Sequence, residues 1–374
     1  MNRKKRKLML GSSLLLVSLL ATGIISACTT GSDNPLSTSG LSLGQSATGT
    51  PPPGKTRNFT LYVRDALIKM PDGTQIYMYG FTDDPKGRAK IPGPKLEMDE
   101  GDSVTITLVD DKDPTKTRYN EEGDGHTIHL HGLDLESKYD GDPMTQPGGP
   151  VKQGQSYVYR FVARYAGTYW YHCHVEAPEH IQMGMYGPLI IHPRGESTKA
   201  YHNTPPYDKE YTFVLSDIDS KAHQGVYNAL NKNGEEVKWT DYHPNYFLIN
   251  GKAWPDTMMD PNTSINATVG QKVLVRLINT GDVVHMIHTH GYHFLVLGTD
   301  GRKLDMPYYK DTLAVGPAER YEILLDLNLV GRYMFHDHVE GAITNDGGFP
   351  GGMITMINVN NPDGSNPVPM PKME

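Results

Sequence analysis

Apolar and polar residues alternate with a period of two in short blocks along the chain: Ser103-Val-Thr-Ile-Thr-Leu108, Tyr157-Val-Tyr-Arg-Phe161, Tyr211-Thr-Phe-Val-Leu215, Lys272-Val-Leu-Val-Arg-Leu277 and Tyr321-Glu-Ile-Leu-Leu325. That period places every second side chain on one face, as in half-buried strands. No long 3.6-residue periodicity follows the N-terminal segment, and 39 Gly and 27 Pro supply turns. The chain therefore reads as all-β, with two tandem Greek-key β-sandwich domains.

An internal repeat supports the division. Ala166-Gly-Thr-Tyr-Trp-Tyr-His172-Cys-His-Val-Glu176 aligns with Val330-Gly-Arg-Tyr-Met-Phe-His336-Asp-His-Val-Glu340, and His129-Leu-His131-Gly132 aligns with His288-Thr-His290-Gly291. One unit is used twice. At 374 residues there is room for an export signal over 1–27, a tether over 28–56, and domains over 57–200 and 201–374.

The N-terminus carries Arg3-Lys-Lys-Arg-Lys7, then an apolar run from Leu8 to Ile25 ending in Ile25-Ser-Ala-Cys28. Charge followed by a short apolar segment is an export signal. Its last four residues resemble a bacterial lipobox, so Cys28 is expected to carry lipid and to anchor an exported protein at the cell envelope. Residues 29–56, rich in Ser, Thr, Gly and Pro, read as a flexible tether. The formal net charge of −8 becomes more negative once residues 3–7 are removed, which argues against nucleic acid as a partner. The acidic stretch from Asp110 to Asp124 reads as a solvated loop. With two cysteines in the chain, Cys28 and Cys173, each assigned a separate role, no disulfide is expected.

Candidate chemistry lies in four clusters: His126-Thr-Ile-His129-Leu-His131, His172-Cys173-His174, His285-Met-Ile-His288-Thr-His290 and His336-Asp337-His338. In a strand, an H-x-H pair aims both imidazoles at one point and turns the middle residue away. In His172-Cys173-His174 the thiolate thus faces one metal and the flanking imidazoles another. His126, an odd offset from His129, falls on the opposite face, where Cys173 is its expected partner. The segment after the cysteine supplies His180 and Met185, with Met183 as the rival thioether. Two His, one Cys and a weak axial Met form a blue-copper set. Eight histidines remain, 129, 131, 172 and 174 from the first half and 288, 290, 336 and 338 from the second, enough for three more copper ions. In the second half Asp337 stands where Cys173 stood and His285 has no thiolate partner, so one blue copper is expected per chain. His192, His202, His223, His243 and His293 match no ligand position, and Met353, Met356, Met370 and Met373 read as core or tail residues.

These motifs resemble the multicopper oxidases, and the two-repeat length is similar to their two-domain, laccase-like branch built from cupredoxin domains, over roughly residues 58–360. The resemblance implies four coppers per chain: type 1 on His126, Cys173, His180 and Met185, type 2 on His129 and His288, and a type 3 pair on the other six histidines. It implies a homotrimer whose trinuclear sites lie between subunits, because neither half holds the full set. It implies one-electron oxidation of phenolic, aromatic or metal-ion donors near an exposed edge of His180 or His126, coupled to reduction of dioxygen to water. Asp134 is the expected proton relay, with Glu176 and Glu340 as further candidates. The chain departs from familiar small laccases in carrying the cysteine site in its first domain and two extra residues between Cys173 and His180. Copper nitrite reductase, and a non-catalytic copper-binding or electron-carrier lipoprotein, are the alternatives. His129 stands where the reductase has a catalytic Asp, and a carrier leaves eight histidines without a purpose.

Overall fold

The structure is a computed structural model that describes residues 54–111, 125–231 and 234–370. The export signal, Cys28, the tether up to residue 53 and all but the first residues of the acidic stretch lie outside the described residues.

The first lobe contains β1 (Thr56–Lys69), β2 (Gln75–Thr82), β3 (Leu96–Asp99), β4 (Ser103–Asp110), β5 (His129–His131), β6 (Gln155–Val162), β7 (Gly167–His172) and β8 (Tyr186–His192), with a short helix α1 (Ala177–Gln182) between the last two. The second contains β9 (Lys209–Ile218), β10 (Tyr246–Ile249), β11 (Ile265–Thr268), β12 (Gln271–Asn279), β13 (His285–Thr289), β14 (Phe294–Thr299), β15 (Arg302–Lys310), β16 (Thr312–Val315), β17 (Arg320–Leu327), β18 (Gly331–Asp337) and β19 (Ile354–Asn360). A helix α2 (Ser220–Leu230) leaves the end of β9.

Each lobe is a sandwich of two sheets, ordered β2-β1-β4-β6 over β3-β8-β7-β5 in the first, and β10-β9-β12-β17-β14-β15 over β11-β19-β18-β13-β16 in the second. Strands distant in sequence lie side by side, and β1/β4, β3/β8, β9/β12 and β11/β19 are parallel pairs. These are the crossovers of a cupredoxin-like Greek key. Alternation in the sequence becomes alternation in burial: β4 turns Val104, Ile106 and Leu108 into the core and Thr105 and Thr107 away from it.

Strand β7 is buried on both faces. Tyr169 and Tyr171 enter the first core, while Trp170 packs against Val214 and Ile278 of the second lobe. Burying a side chain of this size is worth ~1.5–3 kcal/mol. Polar contacts cross the same seam. The Thr168 N–H donates to Glu322 Oε1 at 2.8 Å, and the wholly buried Arg276 donates to Thr168 Oγ1 at 3.1 Å and to Glu210 Oε1 at 3.0 Å. A further apolar cluster joins Met78 and Ile76 of β2 to Ile218, Tyr246 and Leu248. The histidine-bearing strands β5, β7, β13 and β18 are therefore held by two cores and a packed seam.

Candidate metal centre

Cys173 follows the last residue of β7 and turns into the first core. Its Sγ lies 3.1 Å from His180 Nδ1 and 3.9 Å from His126 Nδ1, and all three residues are 0% exposed. His126 is fixed by a two-way backbone bridge to Val151, with both hydrogen bonds at 2.8 Å. The extra length between Cys173 and His180 is wound into α1, which begins after Glu176 in a left-handed conformation (φ 41°). Its turn closes through the His180 N–H to Glu176 O (3.0 Å) and the Met183 N–H to Glu179 O (2.8 Å). Met185 then donates its N–H to His180 O at 3.0 Å and accepts the Cys173 N–H at 3.0 Å. Met183 instead accepts the Tyr79 N–H at 2.9 Å. Both thioethers are buried in the core that holds Cys173.

Electrostatics suit this donor set to a soft, electron-exchanging metal such as copper. Burial pulls the His180 imidazole down to about 3 and, with the nearby His180, holds His126 well below its ordinary value, so both are unprotonated at neutral pH. Burial pushes the Cys173 thiol up to about 12, and a cation must displace that proton to gain a thiolate. The Thr127 N–H points at the sulfur from 3.5 Å. The expectation of a solvent-exposed edge on His180 or His126 is overturned. Both rings are fully enclosed, because α1 folds His180 inward against Tyr79 and the Val151 bridge covers His126.

The other eight histidines form two sets of four. In the first lobe the ring centroids of His129 lie 5.5, 5.0 and 5.3 Å from those of His131, His172 and His174. In the second, His288 lies 5.2, 5.5 and 5.5 Å from His290, His336 and His338. His129 pairs in register with His172, and His288 with His336. Among the described residues, every histidine–histidine ring contact and ligand-atom grouping of these eight stays within one set. His174, His290 and His338 are exposed.

Backbone carbonyls choose the tautomers. Nδ1–H of His129 donates to Asp140 O at 2.7 Å, and that of His288 to Asp311 O at 2.8 Å. His172 and His336 donate likewise to the carbonyls of Cys173 (2.9 Å) and Asp337 (2.7 Å). Each ring thus keeps its Nε2 lone pair for a metal, an outer arrangement typical of ligating histidines. Burial pulls His131 down to about 3 and His172 well below its ordinary value. Trp170 stacks on His131 at 5.0 Å. After the His129/His131 and His288/His290 pairs the chain turns at once, and Gly132 (φ 89°) and Gly291 (φ 73°) do so where a Cβ would strike Arg320 and Tyr333.

The three acidic candidates sit differently. Asp134 is exposed and held by Arg302 at 3.0 Å. Glu176 is exposed before α1. Glu340 lines a cavity of about 550 Å³ with His290, His336 and His338. In the second lobe His285 is not left alone: its Nδ1 lies 2.7 Å from Asp337 Oδ2 and its Nε2 3.5 Å from Asp217 Oδ2, all three residues being fully buried. Burial pulls this imidazole down, but hydrogen bonds to Asp217 and Asp337 outweigh it and the net shift is upward. Asp217, on β9, stands in no motif, and nothing in the sequence singles it out.

Comparison with known proteins agrees with this geometry. Family models described as multicopper oxidase match residues 88–196 and 223–355. The multicopper oxidase MmcO of Mycobacterium tuberculosis is 30% identical over 261 residues, covering 63% of this chain and 46% of that protein. The chain thus spans about half the length of the curated relatives it matches. A blue copper oxidase from Nitrosomonas europaea superposes with a TM-score of 0.68 at 33% identity, covering 82% of this chain and 86% of that one. A copper nitrite reductase from the same organism shares the fold at 21% identity and a TM-score of 0.62. Matches in both lobes, and a solved relative accounted for over most of its length, make this chain a member of the multicopper oxidases.

Proposed function

We propose that the chain is an exported, laccase-like oxidase that withdraws single electrons from small donors and passes them to dioxygen. The observation that carries this reading is the junction at His172-Cys173-His174. There a sealed sulfur-containing site and an open four-histidine set are joined by two covalently adjacent residues. Copper is the metal the family implies, and the donor sets fit it. Bound, it would supply one-electron redox at the first site and a multi-electron store at the second. The first domain (57–200) would provide His126, Cys173, His180 and Met185 for a type 1 ion. The eight remaining histidines would hold three ions, His129 and His288 serving type 2 and the other six type 3, for four per chain.

Residues of the chain do the rest. The Cys173 backbone carries the link from His180 and His126 to His172 and His174. The carbonyls of Asp140, Cys173, Asp311 and Asp337 fix the imidazole orientations. Glu340, which lines the cavity beside His290, would hand on protons, and Glu176, its counterpart in the sequence repeat, would be the candidate in the first lobe. Asp134 would join once it leaves Arg302. Since the two sets do not meet within one chain and each presents exposed imidazoles, a head-to-tail ring of three copies would bring the first set of one against the second set of the next. The N-terminal pattern supports export and a lipid anchor at Cys28 to the cell envelope. The donors are phenolic or metal-ion reductants. Nitrite reduction at a mononuclear three-histidine site would leave five of the eight histidines unused.

Copper counting on the purified protein, with spectroscopy and oxygen uptake on a phenolic donor, tests the proposal. Four coppers per chain, an intense blue band and water as product support it. Two coppers with nitrite turnover would overturn it.

A further inference from the structure

A donor cannot touch His180 or His126, since both are wholly buried, yet aromatic rings lead outward from His180. Tyr79 stands edge-on to it at 5.8 Å between centroids, Tyr77 lies 6.4 Å beyond, and Tyr227 on α2 lies 5.1 Å from Tyr77. Tyr79 is buried, whereas Tyr77 and Tyr227 are partly exposed. The phenols of the two inner residues donate to carboxylates: Tyr79 to Glu179 Oε1 at 3.1 Å and Tyr77 to Asp65 Oδ1 at 3.1 Å. Other buried tyrosines of this lobe donate to groups that cannot hold a proton, Tyr171 to the Pro94 carbonyl and Tyr159 to the Gln146 amide. A phenol loses an electron readily only if its proton has a base to go to, and tunnelling over several short gaps outruns tunnelling over one long one.

We propose that Tyr227, Tyr77 and Tyr79 form a proton-coupled relay that carries single electrons from the surface of α2 to the buried His180. The inference rests on the reading of that site as a type 1 copper centre. Tyr79 gives one electron inward to the oxidised centre and its phenol proton to Glu179. Tyr77 then reduces the Tyr79 radical and passes its own proton to Asp65, while Glu179 returns its proton to Tyr79. Tyr227 reduces Tyr77 and releases a proton to water as Asp65 reprotonates Tyr77. An external one-electron donor restores Tyr227, which regains a proton from water. Every phenol and carboxylate ends as it began, and the net change is one electron moved from donor to centre. The donor class is therefore a phenolic or metal-ion one-electron reductant able to reach α2.

The relay is tested on full-length Tyr79→Phe, Tyr77→Phe and Asp65→Asn variants, which preserve the packing, with Tyr309→Phe on exposed β15 as control. In oxygen-free stopped flow, ferrocyanide should bleach the blue band about tenfold more slowly in the three variants, ~1.4 kcal/mol on the barrier, and at the parent rate in the control. The second readout needs no copper: copper-free protein photo-oxidised by a ruthenium tris-bipyridine complex with persulfate should show a slowly decaying tyrosyl signal by electron paramagnetic resonance. That sheltered signal should vanish in Tyr79→Phe. Equal bleaching rates in all variants, or a persistent radical indifferent to Tyr79, overturns the relay. A parent protein that binds copper without a blue band sinks the type 1 reading instead, while the radical signal still judges the relay.

Discussion

Replacing Asp337 by Ala should destabilise the copper-free protein severely, although no metal ligand is touched. Asp337 Oδ2 sits 2.7 Å from His285 Nδ1, and Oδ1 accepts the N–H groups of Met286 (2.9 Å) and Val339 (2.8 Å). Neither His285 nor Asp337 is exposed. Removing Asp337 leaves the buried ring with only the longer contact to Asp217 and strips two backbone amides of their acceptor, and breaking a buried pair of this kind costs about 3–5 kcal/mol. At roughly 2–4 °C per kcal/mol for a cooperative unit of this size, the melting temperature should fall by ~6–20 °C. Asp337→Asn keeps an oxygen for both amides but turns an NH2 donor toward His285 Nδ1, which can pair only with the unprotonated ring nitrogen, and should recover about half of the loss.

The pH dependence has a definite sign. The folded His285 is raised above 6.5, so its contribution is complete below the unfolded value, near 6.5, and is lost as pH climbs through the folded value. The gap between parent and Asp337→Asn should therefore be widest under mildly acidic conditions and close toward alkaline pH. Differential scanning calorimetry and urea unfolding of copper-free protein are the assays, because bound copper would add its own stabilisation. An Ala variant within about 1 kcal/mol of the parent would refute the buried charge pair.

Cys173→Ser should abolish the blue band and lower the copper count from four to three, as read by spectroscopy and elemental analysis. Loss of all copper would count against two separate sites. Because burial pushes the Cys173 thiol up to about 12, loading copper into the apo-protein should release about one proton from that residue, measured with a pH indicator in weak buffer. Zero release in the parent relative to Cys173→Ser would rule out a thiolate ligand. His131→Ala and His290→Ala proteins, each inactive alone, should regain oxygen uptake when co-assembled, since a mixed ring contains one interface with both sets intact. Failure despite mixed trimers by native mass spectrometry would argue against sites between subunits.

How far the site was legible differs residue by residue. The H-x-H spacing needs no more than strand parity to say that His129 and His131 share a direction that Cys173 avoids, and the structure has Cys173 turned into the core with His172 and His174 outside it. Gly132 and Gly291 were visible as matching residues of the repeat, whereas the positive φ that calls for glycine at each came from the structure. Less accessible was everything contributed by backbone or from afar. The carbonyls of Asp140 and Asp311 that set the tautomers carry no side-chain signature, and Asp217 reaches His285 from a strand 68 positions earlier. The two extra residues before His180 were visible, but not that they would wind into α1 and close the ring edge from solvent.

That closure changes what the two halves of the chemistry require. A centre built from Cys173, His126 and His180, sealed by its own lobe, exchanges electrons but excludes reactants, so it can be complete within one chain. The four-histidine sets are the reverse: His174, His290 and His338 are exposed, so each set stands open to solvent. On the trimeric reading, a neighbouring copy supplies the missing wall together with the missing ligands, so the site exists only where it is also covered. The carboxylate at Asp337 fits the same division. In the second lobe the position equivalent to Cys173 carries no thiol, and His285, buried between Asp217 and Asp337, holds that strand end in place through carboxylate contacts.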